Sequence, residues 1–292
     1  YGDHRDLHLS LRRQRQMCIR DRTSAIAKND YSCDKKFIFF PGGPEGGPFG
    51  TIVYNGAVAA AEHTGCDVDY YWSQWNSEIM IKQFKEAVAL QPDGIAIYGF
   101  PGDAAMRPII NEAREMGIVI TTMNTPLPDL ESELKTTGFG YAGADLFAAG
   151  FNLGKKGVEV CGLEAGDKAF VWGLASMPNR GERTKGAIAG VESMGVEVVY
   201  QEIPDNVNSD ASQGTPMYVA TYSANPDIKM AITDHGGLTA SLPTYMKAAG
   251  HGTEAVCGAG FDLSAPIVDG INSGYIDVVI DQQPFIQGYM PI

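Results

Sequence analysis

Short apolar runs recur about every 30 residues from Lys36 onward, and amphipathic stretches separate most of them. The runs are four to seven residues long and rich in β-branched and aromatic side chains, which is typical of buried strands. The ten predicted strands are Phe37–Phe40, Val68–Trp72, Gly94–Tyr98, Ile118–Met123, Phe139–Ala142, Ala169–Leu174, Val196–Tyr200, Ile228–Thr233, Ala255–Phe261 and Ile276–Ile280. This alternation predicts an α/β fold with parallel sheets, and ten strands fit two sheets better than one.

Two short segments are candidate crossings between two lobes. Residues 138–144 are small and rich in glycine, and residues 281–284 are polar and end in proline. If the chain crosses at both, one lobe comprises residues 34–143 plus 284–292 and the other comprises 144–283. Each lobe would then be Rossmann-like, and a ligand would lie in the cleft between them, where hinges allow closure.

Polar side chains follow the last two predicted strands. Asp262 comes directly after Phe261, and Asp281, Gln282 and Gln283 follow Ile280. In open α/β sheets, ligands bind beyond the carboxyl ends of the strands. Carboxylates and amides beside an aromatic ring favour a neutral polyhydroxylated ligand over a phosphate.

The wording IDQQPFIQGY, residues 280–289, resembles the sugar-binding periplasmic proteins of ABC importers, in the ribose-binding-like type I family. In that family an aromatic–Asp pair ends one strand, and a Gln lies where the chain crosses between the lobes. The resemblance extends over residues 34–292. It implies the type I periplasmic-binding-protein architecture, a permease partner, and a periplasmic location or, in a Gram-positive host, a lipid-anchored extracellular one.

The resemblance also implies a set of ligand-binding residues. An aromatic side chain of the first loop stacks on the sugar, an Arg lies three residues before a helix glycine, and polar residues end several strands. The matching residues here are Phe49, Asn124, Arg183, Asp234, Phe261, Asp262 and Gln282. Phe49 and Phe261 are expected to supply apolar faces, and the others polar or charged hydrogen bonds. Thr125 stands where the ribose-binding branch has an Arg, a difference that argues against ribose itself as the ligand.

Each assignment has a structural alternative. The first loop, residues 41–50, could be a plain mobile loop, and Arg183 a solvated cation at a helix start. Arg180 and His235 rank below their neighbours Arg183 and Asp234 as ligand contacts. Trp75, after the second predicted strand, could form a wall of the cleft.

Other motifs give only weak evidence for a nucleotide site or for catalysis. A G-x-G-x-x-G occurs at residues 138–143, but it replaces a predicted strand instead of following one, so a tight crossing before a helix capped by Asp145 explains it better. The sequence holds no G-x-S-x-G, H-E-x-x-H or C-x-x-C motif. Asp262 and Asp281 could be imagined as a glycosidase pair, but the predicted fold makes them hydrogen-bond acceptors. We expect no enzyme activity, cofactor or metal site.

The two ends of the sequence differ from its body. Residues 1–33 carry a net charge of +3, whereas residues 34–292 carry −16. The acidic body argues against a nucleic-acid partner. Residues 1–33 contain MCIRDR and resemble translated adapter sequence, although a disordered basic tail is the alternative. We expect that a secretion signal is missing, and that the first lobe continues beyond Ile292.

Five cysteines are too few for a disulfide scaffold and lack zinc-ligand spacing. Cys33 and Cys66 each precede a predicted strand at the same end of neighbouring strands. A disulfide between them is one possibility, and two free thiols are the other.

The sequence therefore predicts a monomeric solute-binding protein that holds a neutral monosaccharide or polyol and delivers it to a membrane permease. The alternatives are the sugar-sensing effector domain of a transcription regulator, a nucleotide-dependent enzyme, and a carrier for a chemoreceptor or quorum signal.

Overall fold

Two parallel sheets of five strands each organise residues 33–292, the part of the chain that this computed structural model describes. The strands are β1 (Lys36–Gly42), β2 (Asp67–Trp72), β3 (Gly94–Tyr98), β4 (Val119–Met123), β5 (Gly140–Ala142), β6 (Lys168–Gly173), β7 (Glu197–Glu202), β8 (Ile228–Thr233), β9 (Cys257–Phe261) and β10 (Val278–Ile280). The first sheet has the order β2-β1-β3-β4-β5, and the second has the order β10-β9-β8-β6-β7. We call each sheet with its helices a lobe. The predicted tail lies outside the described residues, apart from Cys33.

Eleven α-helices accompany the strands of the described part, ten between strands and one after the last. They are α1 (Pro48–Thr64), α2 (Ser77–Ala89), α3 (Asp103–Glu115), α4 (Pro128–Leu134), α5 (Leu146–Cys161), α6 (Glu182–Glu192), α7 (Asp205–Ser209), α8 (Thr215–Ala224), α9 (Gly236–Ala248), α10 (Ala265–Asn272) and α11 (Pro284–Tyr289). Two 3-10 turns, Lys135–Thr137 and Ala211–Gly214, complete the list.

The sequence signals at strand and helix ends explain much of this pattern. Asn76 and Asp145 act as helix N-caps, because their side chains accept hydrogen bonds from the backbone N–H of Ile79 and Ala148. Gly117 follows α3 with φ +84°, a left-handed conformation that glycine adopts without steric cost. β3 is buried along its whole length, as expected for a strand covered by helices on both faces.

In the second lobe, α5 and α6 pack with their backbones close together. A side-chain carbon at Gly150 would collide with the carbonyl of Arg183, and one at Gly186 would collide with the carbonyl of Phe147. Glycine is therefore required on both helices for this approach. The contact fixes the position of α6, the helix that carries Arg183.

In the first lobe, α11 packs against α1, although the two helices lie at opposite ends of the described chain. A side-chain carbon at Gly56 would meet the carbonyl of Phe285, and one at Gly288 would meet that of Val53. The Tyr289 hydroxyl also lies 2.9 Å from Nδ1 of His63. The segment after β10 thus returns the chain from the second sheet to the first lobe.

The structure confirms the predicted α/β architecture with two parallel sheets in two lobes. β9 and β10 are each two residues shorter at their start than predicted. Before β10, the buried Ile276 packs against α10 and Asp277 accepts a hydrogen bond from the Gly258 N–H. Before β9, the Ala255 N–H donates to the Gly252 carbonyl in a turn. The short helix α7 and the 3-10 turn after it were not predicted.

Two disulfides join the ends of elements in the described chain. Cys33 is bonded to Cys66, ahead of β1 and β2, which resolves the alternative between a disulfide and two thiols. Cys161, at the end of α5, is bonded to Cys257, at the start of β9, and this pair was not predicted. Among residues 33–292, no helix combines the length and the apolarity that a membrane crossing requires.

Candidate ligand-binding site

A cavity of about 380 Å³ lies between the two lobes. Its walls combine aromatic rings from the first lobe with charged and polar side chains from both lobes. The residues that matter for its chemistry are Phe49, Trp75, Phe100, Asn124, Arg180, Arg183, His235, Asp262 and Gln282. The cavity therefore lies beyond the carboxyl ends of the strands, where the sequence predicted it.

Three aromatic rings form the apolar wall. The Trp75 ring centroid lies 6.0 Å from that of Phe49 and 6.3 Å from that of Phe100. Trp75 has φ +55°, an uncommon value for a large residue, and its ring fills the space beside Gly42 and Gly43 where side chains would otherwise lie. This wall can contact the C–H face of a sugar ring.

Gln282 connects the lobes at the polar floor of the cavity. Its Oε1 accepts hydrogen bonds from Nδ2 of Asn124, at 3.0 Å, and from Nη1 of Arg183, at 2.8 Å. Its Nε2 donates to Oδ1 of Asp262, at 2.6 Å, and its backbone carbonyl accepts from Nε2 of Gln287, at 2.5 Å. Gln282 is only 8% exposed, so water does not replace the hydrogen bonds that are lost when this side chain is substituted.

Left-handed backbone conformations orient two of these side chains. Asn124 follows β4 with φ +58°, and Asp262 follows β9 with φ +75°. Asn and Asp tolerate this conformation better than most residues do. Asp262 also accepts a hydrogen bond from the Gly236 N–H at 3.0 Å, so both of its carboxylate oxygens have partners.

Arg183 is held from two sides. Its Nε donates to Oδ1 of Asp234 at 3.1 Å, and its guanidinium carbon lies 4.4 Å from the centroid of the Phe261 ring. Burial and the neighbouring Arg180 lower the pKa of Arg183 to about 10, against the opposing effect of Asp234, so the side chain is cationic at neutral pH. The fixed guanidinium can donate hydrogen bonds to ligand hydroxyls.

Arg180 shares the same carboxylate. Its Nη2 lies 2.9 Å from Oδ2 of Asp234. Burial alone would raise the pKa of Asp234, but the two guanidinium groups outweigh it and keep the pKa below its ordinary value. Asp262 shows the opposite balance, because burial raises its pKa despite the opposing effect of Arg183.

His235 adds a neutral polar group to the cavity wall. Burial lowers its pKa to about 3, although the adjacent Asp234 carboxylate opposes the shift. Its Nε2 is buried, and no group among residues 33–292 forms a hydrogen bond with it. A neutral imidazole of this kind can donate or accept, depending on its tautomer.

The structure brings together most of the residues predicted from the sequence. Phe49, Asn124, Arg183, Asp262 and Gln282 line the cavity. Asp234 and Phe261 do not, and for these two we correct the expected position: both are almost fully buried and contact Arg183 from the side facing the protein.

Three residues that the sequence ranked lower also lie on the wall: Trp75, Arg180 and His235. Each is one to three residues from a predicted site residue or strand end, and that proximity was the only available signal. Asp281 lies outside this cavity and accepts hydrogen bonds from Gln283, so Asp262 and Asp281 do not face one ligand.

Two further motif expectations concern the described residues. The G-x-G-x-x-G segment contains β5 and leads into α5 through the Asp145 cap, as expected for a crossing. Within residues 33–292, no cluster of three or more His, Cys, Asp or Glu side chains has metal-binding geometry.

Comparison with known proteins places this geometry in context. The family described as "Periplasmic binding protein domain" matches residues 38–292. A xylose/arabinose-binding protein of Sulfolobus acidocaldarius is 22% identical over an alignment of 240 residues, and the match covers 77% of this chain. The chain spans 57% of the length of that relative.

Solved structures show the same fold. A glucose-galactose binding protein from Geobacillus stearothermophilus superposes with a TM-score of 0.76, at 22% identity, over 88% of each chain. A solute-binding protein from Burkholderia graminis, crystallised in complex with D-arabinose, gives a TM-score of 0.77 at 20% identity, over 89% of this chain and 87% of that one.

Proposed function

The chain belongs to the family of periplasmic binding protein domains, and from this premise we propose that it binds a neutral monosaccharide or polyol between its lobes. One observation carries the proposal. An aromatic wall from the first lobe faces a floor of buried, mutually hydrogen-bonded Arg, Asp, Asn and Gln side chains. A sugar ring needs both surfaces, because it has apolar C–H faces and a rim of hydroxyls.

Each group has a defined task in this proposal. Phe49 and Trp75 contact the ring faces, while Arg183 and Asp262 form charge-assisted hydrogen bonds with hydroxyls. Asn124 and Gln282 hold the floor together and can exchange part of their hydrogen bonds for ligand contacts. The buried charges on the floor compensate one another, which disfavours a highly charged ligand.

We further propose that the protein delivers its ligand to the permease of an ABC importer. The lobes would comprise residues 34–143 plus 284–292 and residues 144–283, joined at two crossings that act as hinges. The packing of α11 on α1 supports this division. The two disulfides support a periplasmic or extracellular location, since disulfides persist in oxidising compartments. We propose that the protein acts as a monomer.

A thermal-shift panel of pentoses, hexoses, inositols and sugar alcohols tests the proposed ligand class. A ligand at 100 times its Kd stabilises a protein by about 2.7 kcal/mol, which raises Tm by several degrees. We expect a selective shift with one or a few sugars. A folded protein that shifts with none of them would contradict the proposal.

Asp262→Asn tests the proposed site. The substitution keeps the size of the side chain but removes the charge, so we expect about tenfold weaker sugar binding. Asp269→Asn, at an exposed position of α10, is the control. Equal weakening by both substitutions would place the ligand elsewhere.

A further inference from the structure

A direct contact joins the two lobes outside the cavity. Asn179, in the loop between β6 and α6, donates from Nδ2 to Oδ2 of Asp103 at 2.9 Å and to the Pro126 carbonyl at 3.0 Å. Asp103 and Pro126 belong to the first lobe, and Asn179 belongs to the second. We call this set of three residues the interlobe clamp. None of them is among the residues that line the cavity.

Both sides of the clamp are held in place. The other carboxylate oxygen of Asp103 accepts a hydrogen bond from the Leu130 N–H at 3.0 Å, which fixes it between α3 and α4. Beside it, Gly102 has φ +88° and lies so close to Pro178 that a side chain there would collide with the proline. The lobes therefore meet in close packing as well as in hydrogen bonds.

The backbone at Asn179 is in an uncommon conformation that the clamp explains. Its φ is +53°, in the left-handed region. This conformation costs free energy for a residue other than glycine, and such costs persist where surrounding contacts enforce them. In this loop the contacts that use the Asn179 side chain are those with the first lobe.

Asn179 of the interlobe clamp is also next in sequence to a residue that lines the cavity. Arg180 follows Asn179 directly, lines the cavity and pairs with Asp234. The loop is further held by Ser176, whose Oγ donates to Oε1 of Glu202 at 2.7 Å. One short, fixed loop thus contacts the opposite lobe and presents a guanidinium to the cavity.

We propose that the interlobe clamp stabilises the arrangement of the lobes described here, which we call closed because residues of both lobes line one cavity, through contacts that involve no ligand. Asn179 is then a positioning residue, since it acts through the lobe arrangement and through Arg180. Because a ligand binds the arrangement in which both walls face it, a smaller closed population reduces the apparent affinity by the same factor. This inference does not depend on which ligand the cavity binds.

Asn179→Gly is the most selective test. Glycine retains the left-handed backbone at no steric cost, so the substitution removes the amide group without straining the loop. Gln91→Gly is the matched control, because Gln91 has φ +52° but is exposed at the end of α2 in the first lobe. Hydrogen–deuterium exchange and small-angle scattering are measured on both variants and on the unchanged chain, with no sugar added.

For Asn179→Gly we expect about tenfold faster exchange in residues 99–104, 126–130 and 176–182, and a larger radius of gyration. Gln91→Gly should match the unchanged chain in these segments. Equal exchange and equal scattering in the two variants would overturn the proposal. These measurements remain decisive even if every sugar in the panel fails to bind.

A swapped pair tests the contact itself. Asn179→Asp places two carboxylates face to face and should open the lobes more than Asn179→Gly does. Adding Asp103→Asn restores one donor and one acceptor and should reverse most of that effect. If the change in exchange and radius of gyration in the Asn179→Asp/Asp103→Asn double variant equals the sum of the changes in the two single variants, the residues do not interact and the proposal fails.

If a sugar does bind, its Kd gives a second readout. Asn179→Gly should weaken binding about tenfold, equivalent to about 1.4 kcal/mol, while Gln91→Gly leaves the Kd unchanged. Binding that is equally tight in both variants, together with equal exchange, would show that the clamp has no effect on closure.

Discussion

Nε of Arg183 donates a hydrogen bond to Oδ1 of Asp234 over 3.1 Å, and each side chain is only 3% exposed. Asp234 therefore binds Nε of the arginine, while Nη1 donates to Gln282 at the floor of the cavity. A single carboxylate compensates two buried cations, since Arg180 pairs with its second oxygen.

Asp234→Asn should destabilise the protein by about 3–5 kcal/mol, because it removes the carboxylate with which both buried guanidinium groups pair. Urea unfolding at pH 7 measures the loss. Asp67→Asn, an exposed Asp at the start of β2, is the control and should be close to neutral.

The same carboxylate predicts a pH dependence. Its pKa in the folded protein lies below the ordinary value of 3.8, so its stabilising effect is complete above about pH 5 and is lost as the pH falls through the folded pKa. Asp234→Asn should therefore lose less stability than the unchanged protein between pH 5 and pH 3. If the free energy of unfolding falls equally with pH in both proteins, Asp234 does not have the stabilising role assigned to it.

Gln282→Ala should lower the free energy of unfolding by about 1–3 kcal/mol, because Asn124, Arg183 and Asp262 each lose a buried hydrogen-bond partner. Gln283→Ala is a closely matched control, since its exposed side chain bonds only to Asp281 within the described structure. Denaturant unfolding of both variants decides the prediction. Similar losses would show that the floor network contributes little to stability.

Gly150→Ala should destabilise the protein by about 1–3 kcal/mol, because the added methyl group forces α6 away from α5. Gly157→Ala on the same helix should be much milder, since its methyl group meets the flexible Met230 side chain and alanine favours the helix by about 1 kcal/mol. Thermal unfolding compares the two. The opposite order would refute the close helix packing.

Removing the Cys161–Cys257 disulfide should cost more stability than removing Cys33–Cys66. The two bonds span 96 and 33 residues, and loop-closure entropy then gives about 4.7 and about 3.7 kcal/mol. Double Cys→Ser variants, unfolded in urea without reductant, test this order. A larger loss from the shorter loop would show that local packing outweighs chain entropy.

The architecture was predictable because it depends on repeated local signals. Each strand is a short apolar run, and caps such as Asn76 and Asp145 fix where the helices begin. The start of β10 was less predictable, because Ile276 is apolar but belongs to the packing beneath α10 instead of to the sheet ladder.

The site was predictable in location but not in the direction of each side chain. Phe261 ends a strand buried on both faces, so alternation along the sequence does not reveal whether its ring faces the ligand or the core. Asp234 and His235 are adjacent, yet His235 lines the cavity while Asp234 pairs with the two arginines. The Cys161–Cys257 pair has no local signal at all.

The packing of α11 on α1 also determines when the first lobe can be completed. His63 and Tyr289 are 226 positions apart, so their contact waits until nearly the whole described chain has been synthesised. The second lobe, in contrast, can assemble from contiguous residues as soon as they leave the ribosome. During synthesis the first sheet would therefore be left with one face of α1 uncovered, the kind of apolar surface that chaperones bind.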